Sequence, residues 1–288
     1  MDLERRGGHR ADGTRVGAMT VIAATARHRG PASWVLSAVL LGVATMILPS
    51  LVAEWSSAGR VAVAGLVETV SVGFERWMSS GAAAPAAPLS DAVTFWAVFH
   101  FTKAALAIAL LYALVGVGRQ VWERAVRAGT LLPRAAWIAA GVLGASLPVL
   151  VLLIVVANVQ GAVAPLSSVM SFLPIGTSPE VVTVRAELAA GVYGPVTSAL
   201  VADFRTYHAA LVVCLSVVIV GLGASVAWML VRRARAPRDR RLVRRSLASA
   251  AVALTLLAGA LGLILLANLS TVLDTAPALA GFFDSGGA

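Results

Sequence analysis

Three side chains of one apolar run lie at spacings that place them on one face of a helix. Trp96, His100 and Lys103 are four and three residues apart, so an α-helix brings them to the same side, one turn above another. Lys103 is the only charged residue deep inside the apolar stretch 93–117. Because a charge within a membrane is costly, such a residue is by default a functional hypothesis.

A second set of ionisable residues lies beside a later apolar run. Asp203, Arg205 and His208 precede or begin the stretch 208–231, and Asp91 precedes the first run in a similar way. One hypothesis is a single cluster in which these acids, or Glu187, neutralise the cations. The two histidines of that cluster would titrate near neutral pH.

A structural interpretation competes with this cluster and is the simpler one. Lys103 can extend its ammonium group to the lipid headgroups, and histidines are affordable at the membrane interface. Two histidines without a third ligand at defined spacing do not make a metal site, and phosphate-binding, dinucleotide-binding and serine-hydrolase motifs are missing from the sequence. The sequence therefore predicts no catalytic residue, cofactor or metal, and leaves one candidate functional cluster: Trp96, His100, Lys103, Asp91, Asp203, Arg205 and His208.

The composition requires that these residues be held by helices in a membrane. Of the 288 residues, 59% are hydrophobic and 13% charged, and the mean hydropathy is +0.86, whereas soluble domains carry about 25% charged residues. Five stretches have the roughly 20 apolar residues that a membrane-spanning helix needs. We predict an all-α integral membrane protein with five transmembrane helices, at 34–52, 93–117, 136–157, 208–231 and 247–267.

The arginines predict the orientation of these helices. Six occur in 1–33, four in 118–135 and eight in 232–246, and basic residues in short flanking segments stay in the cytoplasm. We therefore expect a basic cytoplasmic tail at 1–33, two basic cytoplasmic turns, and an extracytoplasmic C-terminal tail at 268–288, in a plasma (inner) membrane. The net charge of +9 does not indicate nucleic-acid binding, because the arginines flank apolar runs.

The first apolar run is longer than the apolar core of a cleaved signal peptide, and no Ala-x-Ala site follows Val52. It is typical of an uncleaved signal anchor. Met19 is an alternative start of the chain.

The remaining four spans have the pattern of a duplication. His100 and His208 are 108 residues apart, and Asn158 and Asn268, near the ends of the following spans, are 110 apart. The hairpins 93–157 and 208–267 therefore resemble two copies in the same orientation, which favours pseudo-two-fold symmetry about the membrane normal. Chance similarity between apolar segments is the alternative.

The outer segments are predicted to be helical. In 53–92, apolar positions at helical spacing predict an amphipathic helix over 58–78. In 158–207, Ser178, Pro179 and Glu180 form a favourable helix start, Gly191 a stop, and a helix from about Val196 continues into the fourth span.

Three functions are compatible with this sequence. The first is a non-enzymatic scaffold or accessory subunit of a membrane transport or cell-envelope assembly. The alternatives are a small pseudo-symmetric transporter or channel, and a membrane enzyme acting on a lipid-linked substrate at the outer face. The expected partners are membrane lipids and a membrane protein or a second copy of the chain.

Overall fold

The computed structural model describes residues 30–127, 131–173 and 178–285, and within them the chain is helical without a strand. A short 3₁₀ turn, Val63–Gly65, precedes the second helix. The nine α-helices of these ranges are α1 Pro31–Ser56, α2 Leu66–Ser80, α3 Leu89–Arg127, α4 Leu131–Val163, α5 Pro165–Met170, α6 Pro179–Ala190, α7 Pro195–Arg235, α8 Arg241–Leu273 and α9 Thr275–Asp284.

Five of these helices are long and apolar enough to cross a membrane, which confirms the predicted fold class. The qualifying stretches are Ala32–Ser56, Leu89–Ala125, Ser146–Val163, Pro195–Arg235 and Val243–Leu273. Each contains one of the predicted apolar windows or most of it. The helices α3 and α7 have 39 and 41 residues, about twice the length that the hydrocarbon core requires.

The described residues divide into two compact units, each of which is described by itself. The smaller lies within Met1–Gly42 and Ala109–Val149, and the larger within Val43–Ile108 and Leu150–Ala288. In the smaller unit, Trp34 of α1 packs edge-on against Tyr112 of α3, with ring centroids 5.4 Å apart. Gly116 lies directly under the Trp34 indole, where a Cβ atom would overlap the ring.

The larger unit contains a hydrophobic core built by short helices and by the adjoining ends of long ones. We call this part of the molecule the cap: α2, α5, α6 and α9 with the N-terminal ends of α3 and α7. Its fully buried side chains include Phe74, Leu89, Phe95, Val184 and Phe283. The cap fixes the ends of α3 and α7 that carry the candidate functional residues.

The cap helices differ from the predicted boundaries at one place. The helix expected over 58–78 begins only at Leu66 and continues to Ser80, because Ala58 and Gly59 have positive φ values of 51° and 73° and form a turn. The helix α6, by contrast, has the bounds that the sequence indicates. It starts after Ser178 and ends at Gly191, whose φ of 67° is the left-handed conformation that glycine adopts easily.

Two long helices end in the same way. The backbone leaves α4 at Ala164, with φ −129° and ψ 70°, and leaves α8 at Asp274, with φ −134° and ψ 74°. Each break lies just before a proline that has no N–H for continuing the helix: Pro165 in the first case and Pro277 in the second. The two breaks are 110 residues apart, and a cap helix follows each of them.

Candidate functional site

The imidazole of His100 joins α3 to α4. Its Nδ1 atom lies 2.9 Å from the Oδ1 of Asn158, and the Nδ2 of the same amide donates to the carbonyl of Ile154 at 2.7 Å. Since an amide oxygen only accepts, this arrangement requires a proton on Nδ1 and leaves Nε2 of the neutral ring as an acceptor. Asn158 is 7% exposed, so its polar groups depend on these protein partners.

The other ring nitrogen of His100 faces the short cap helix α5. Its Nε2 is 3.1 Å from the Oγ of Ser168, and the indole Nε1 of Trp96 donates to the same oxygen at 3.0 Å. Gly161 allows this approach, because a Cβ at that position would lie 2.5 Å from the Nε2 of His100. Trp96, Ser168, His100 and Asn158 therefore form one hydrogen-bonded chain.

The imidazole of His208 joins α7 to α8 in the same manner. Its Nδ1 is 2.6 Å from the Oδ1 of Asn268, and the Nδ2 of Asn268 donates to the carbonyl of Ile264 at 2.8 Å. Both histidines therefore meet an asparagine that also bonds the carbonyl four residues earlier. We call each of these contacts a His–Asn bridge.

The aromatic neighbours of the two histidines also correspond. Trp96 contacts His100 edge-on at 4.8 Å between centroids, and Phe204 contacts His208 at 4.5 Å. The two surroundings differ on the side of the second ring nitrogen: 110 residues after Ser168 stands Ala278, which has no hydroxyl. Among the described residues, the Nε2 of His208 has no hydrogen-bond partner.

The predicted acids contact other groups than the expected cations. Asp91 forms an ion pair with Arg60, with Oδ2 and Nε 3.4 Å apart. The Oδ2 of Asp203 accepts from both the N–H and the Oγ of Ser167, each at 2.6 Å. This carboxylate of α7 thereby satisfies the first turn of α5.

The predicted cations also have separate surroundings. The ammonium of Lys103 lies 5.3 Å from the centre of the Phe99 ring, a cation–π distance. Arg205 is exposed, and within the described residues it forms no ion pair. The seven predicted residues are thus distributed over several distinct contacts, and the described contacts do not join them into one cluster.

Four residues of this site were not identified from the sequence as functional candidates: Asn158, Asn268, Gly161 and Ser168. The asparagines carried a signal, because their spacing matches that of the histidines almost residue for residue. Gly161 and Ser168 carried none, since a glycine and a serine in an apolar sequence are common.

The described residues hold no group of three His, Cys, Asp or Glu side chains that could bind a metal ion. The cap does contain an open groove of about 520 Å³ between α6 and α9, lined by Val182, Arg185, Ala276, Pro277, Ala280 and Asp284 among others. Arg185 and Asp284 form an ion pair at its edge. Most of its remaining lining is apolar.

Comparison of the chain with protein-family models, curated proteins and solved structures found no match.

Proposed function

We propose that this chain is a non-enzymatic scaffold or accessory subunit of a membrane transport or cell-envelope assembly. The observation that carries the proposal is the use made of the polar residues near the membrane. His100 and His208 bridge helices, and Asp203 fastens a cap helix. Side chains tied up in this way support a rigid helical framework.

The proposal includes duplication of the two helical hairpins, α3 with α4 and α7 with α8. It is supported by the two His–Asn bridges, by the corresponding aromatic contacts and by the matching breaks at Ala164 and Asp274. The spacing of 108 to 110 residues is constant across all of these features. A chance alignment of apolar letters would not reproduce hydrogen bonds.

We propose that the chain resides in the plasma (inner) membrane with its N-terminus in the cytoplasm and the cap outside. The support is the charge distribution, since eighteen arginines lie in 1–33, 118–135 and 232–246. Arg232 packs its guanidinium 5.1 Å from the centre of the Trp228 ring, a pairing suited to a membrane interface.

The function is tested by affinity purification in mild detergent at native expression, followed by mass spectrometry. A stoichiometric membrane partner is expected, and a chain that purifies alone contradicts the proposal. Orientation is tested separately by reporters fused after Arg235 and after Ser285. A reporter that is active only in the cytoplasm should be active at the first position and silent at the second.

A second candidate, a membrane enzyme acting on a lipid-linked ester at the outer face, is favoured by one observation. The Oγ of Ser168, the imidazole of His100 and the amide of Asn158 are connected at 3.1 and 2.9 Å. A hydroxyl, a base and a group that orients the base are the parts of an activated nucleophile.

In this reaction the Ser168 oxygen would attack the ester carbonyl while its proton passes to Nε2 of His100. The imidazolium would return that proton to the departing alcohol, and water would release the acyl group. The test is labelling by a fluorophosphonate probe, which should require Ser168. Ser171, one turn away and exposed, is the matched control: labelling of Ser168→Ala equal to that of Ser171→Ala, or no labelling of the natural chain, excludes this candidate.

A further inference from the structure

The following inference rests on the proposed function and concerns where the partner binds. In the first hairpin, one face of α4 is covered by α7. Val156 of α4 is 6% exposed and lies in a cluster with Leu215 of α7 and Leu261 of α8. This contact places α7 along α4, beside the residues that precede the break at Ala164.

The cap helix that follows α4 is covered by the same neighbour. Ser167 of α5 bonds the carboxylate of Asp203 on α7, and the flanking Leu166 and Met170 are 8% and 2% exposed within the cap core. The surface formed by α4 and α5 is therefore closed by the cap end of α7.

The corresponding surface of the second hairpin is open. Leu266 stands 110 residues after Val156 and is 60% exposed. Ala276, Pro277 and Ala280, which correspond to Leu166, Ser167 and Met170, line the groove of about 520 Å³ beside α6. The positions that α7 covers in the first hairpin thus have no covering helix in the second.

The open surface extends down α8 with room for close approach. Gly259, Gly262 and Leu266 are three and four residues apart and share one face of the helix. A Cβ added at either glycine would meet nothing within 4 Å. Small residues on a membrane helix let a neighbouring helix come close enough for extended packing.

We propose that this open face, Gly259, Gly262 and Leu266 of α8 with Ala276, Pro277 and Ala280 of α9, binds a transmembrane helix of a partner protein. That helix takes the position on α8 and α9 that α7 takes on α4 and α5. Alanines replace Leu166 and Met170 in the groove, so the partner helix contributes bulky apolar side chains there. Pro277, unlike Ser167, has no N–H or hydroxyl to offer, so this position needs no carboxylate from the partner.

A second copy of this chain is poorly suited to supply the helix. Its two helices with the required direction and cap end are α3 and α7. Both are already engaged by their own cap, since Leu89 and Phe95 are fully buried and Leu200 is 2% exposed. The occupant is therefore a helix of a different membrane protein.

The test is photocrosslinking of the full-length chain in its native membrane. A benzophenone amino acid is placed at Leu266, at Ala280, or at Val220, an exposed apolar position of α7 that serves as the control. The first two sites should give an adduct with the same second polypeptide, through a transmembrane segment, and Val220 should not. Adducts with another copy of this chain, with lipid only, or equally at Val220 overturn the proposal.

A pair of neighbouring substitutions separates the binding face from the proposed function. Ala280→Trp fills the groove, whereas Gly281→Trp, whose Cβ points into open space, leaves it free. Co-purification of the partner should fall about tenfold, the equivalent of about 1.4 kcal/mol, for Ala280→Trp alone. A partner that co-purifies equally with both variants refutes this face and leaves the proposed function intact, whereas absence of any partner from the natural chain refutes both.

Discussion

Replacement of Gly161 by alanine tests the His–Asn bridge of the first hairpin directly. The added Cβ would lie 2.5, 2.6 and 2.8 Å from three atoms of the His100 ring, whereas ordinary van der Waals contact begins at about 3.4 Å. The ring must move by nearly 1 Å. That displacement weakens both of its hydrogen bonds, to Asn158 and to Ser168.

The expected cost follows from three contributions. Overpacking a tight contact costs about 1–3 kcal/mol, and loss of an interhelical hydrogen bond in a membrane costs about 0.6 kcal/mol on average. Alanine in place of glycine returns up to about 1 kcal/mol through helix propensity. We expect Gly161→Ala to lower the free energy of unfolding by about 1–3 kcal/mol.

The measurement is reversible unfolding in detergent, with Gly223→Ala as the matched control. Gly223 also lies in a long helix, but a Cβ there meets nothing within 4 Å, so this variant should be neutral or slightly stabilised. In a His100→Ala background the clash disappears, and Gly161→Ala should then cost nothing. Equal stability of Gly161→Ala and Gly223→Ala, or an undiminished loss without the imidazole, would refute the reasoning.

Three further variants follow from the same contacts. Asn158→Leu should lower the unfolding free energy by more than Asn268→Leu, because Asn158 is buried and belongs to the longer hydrogen-bonded chain; unfolding in detergent measures the difference. Asp203→Ala should remove about 1.5–3 kcal/mol of charged hydrogen bonding to α5, seen as faster amide hydrogen exchange within that helix. Lys103→Met should change stability by less than about 1 kcal/mol, since its described contact is a single cation–π pair with Phe99, and a larger loss in thermal unfolding would contradict this assignment.

The membrane helices could be predicted from the sequence because length and apolar content suffice for them. The start of α2 could not. Apolar residues continue at helical spacing through 58–65, but a turn at Ala58 and Gly59 and a 3₁₀ segment occupy that stretch. Periodicity describes which face is buried without showing where the helical backbone begins.

The candidate site could be predicted in part for a related reason. Spacing placed Trp96 and His100 on one face of α3, and both bond Ser168 there. Spacing within one helix cannot tell which neighbouring helix that face meets. Asp91 and Asp203 were therefore expected beside the cations, although they contact Arg60 and Ser167.

The comparison of the two hairpins separates the parts of the site that hold helices from the part that is additional. Both hairpins have the His–Asn bridge and an aromatic side chain one turn before the histidine, although the residue opposite the second ring nitrogen is Ser168 in one and Ala278 in the other. Since the second bridge forms without a hydroxyl, joining the two helices does not require Ser168. The hydroxyl and the Trp96 indole that bonds it are therefore the features of the first hairpin that helix packing leaves unexplained, and chemistry at this site, if the chain performs any, begins with Ser168.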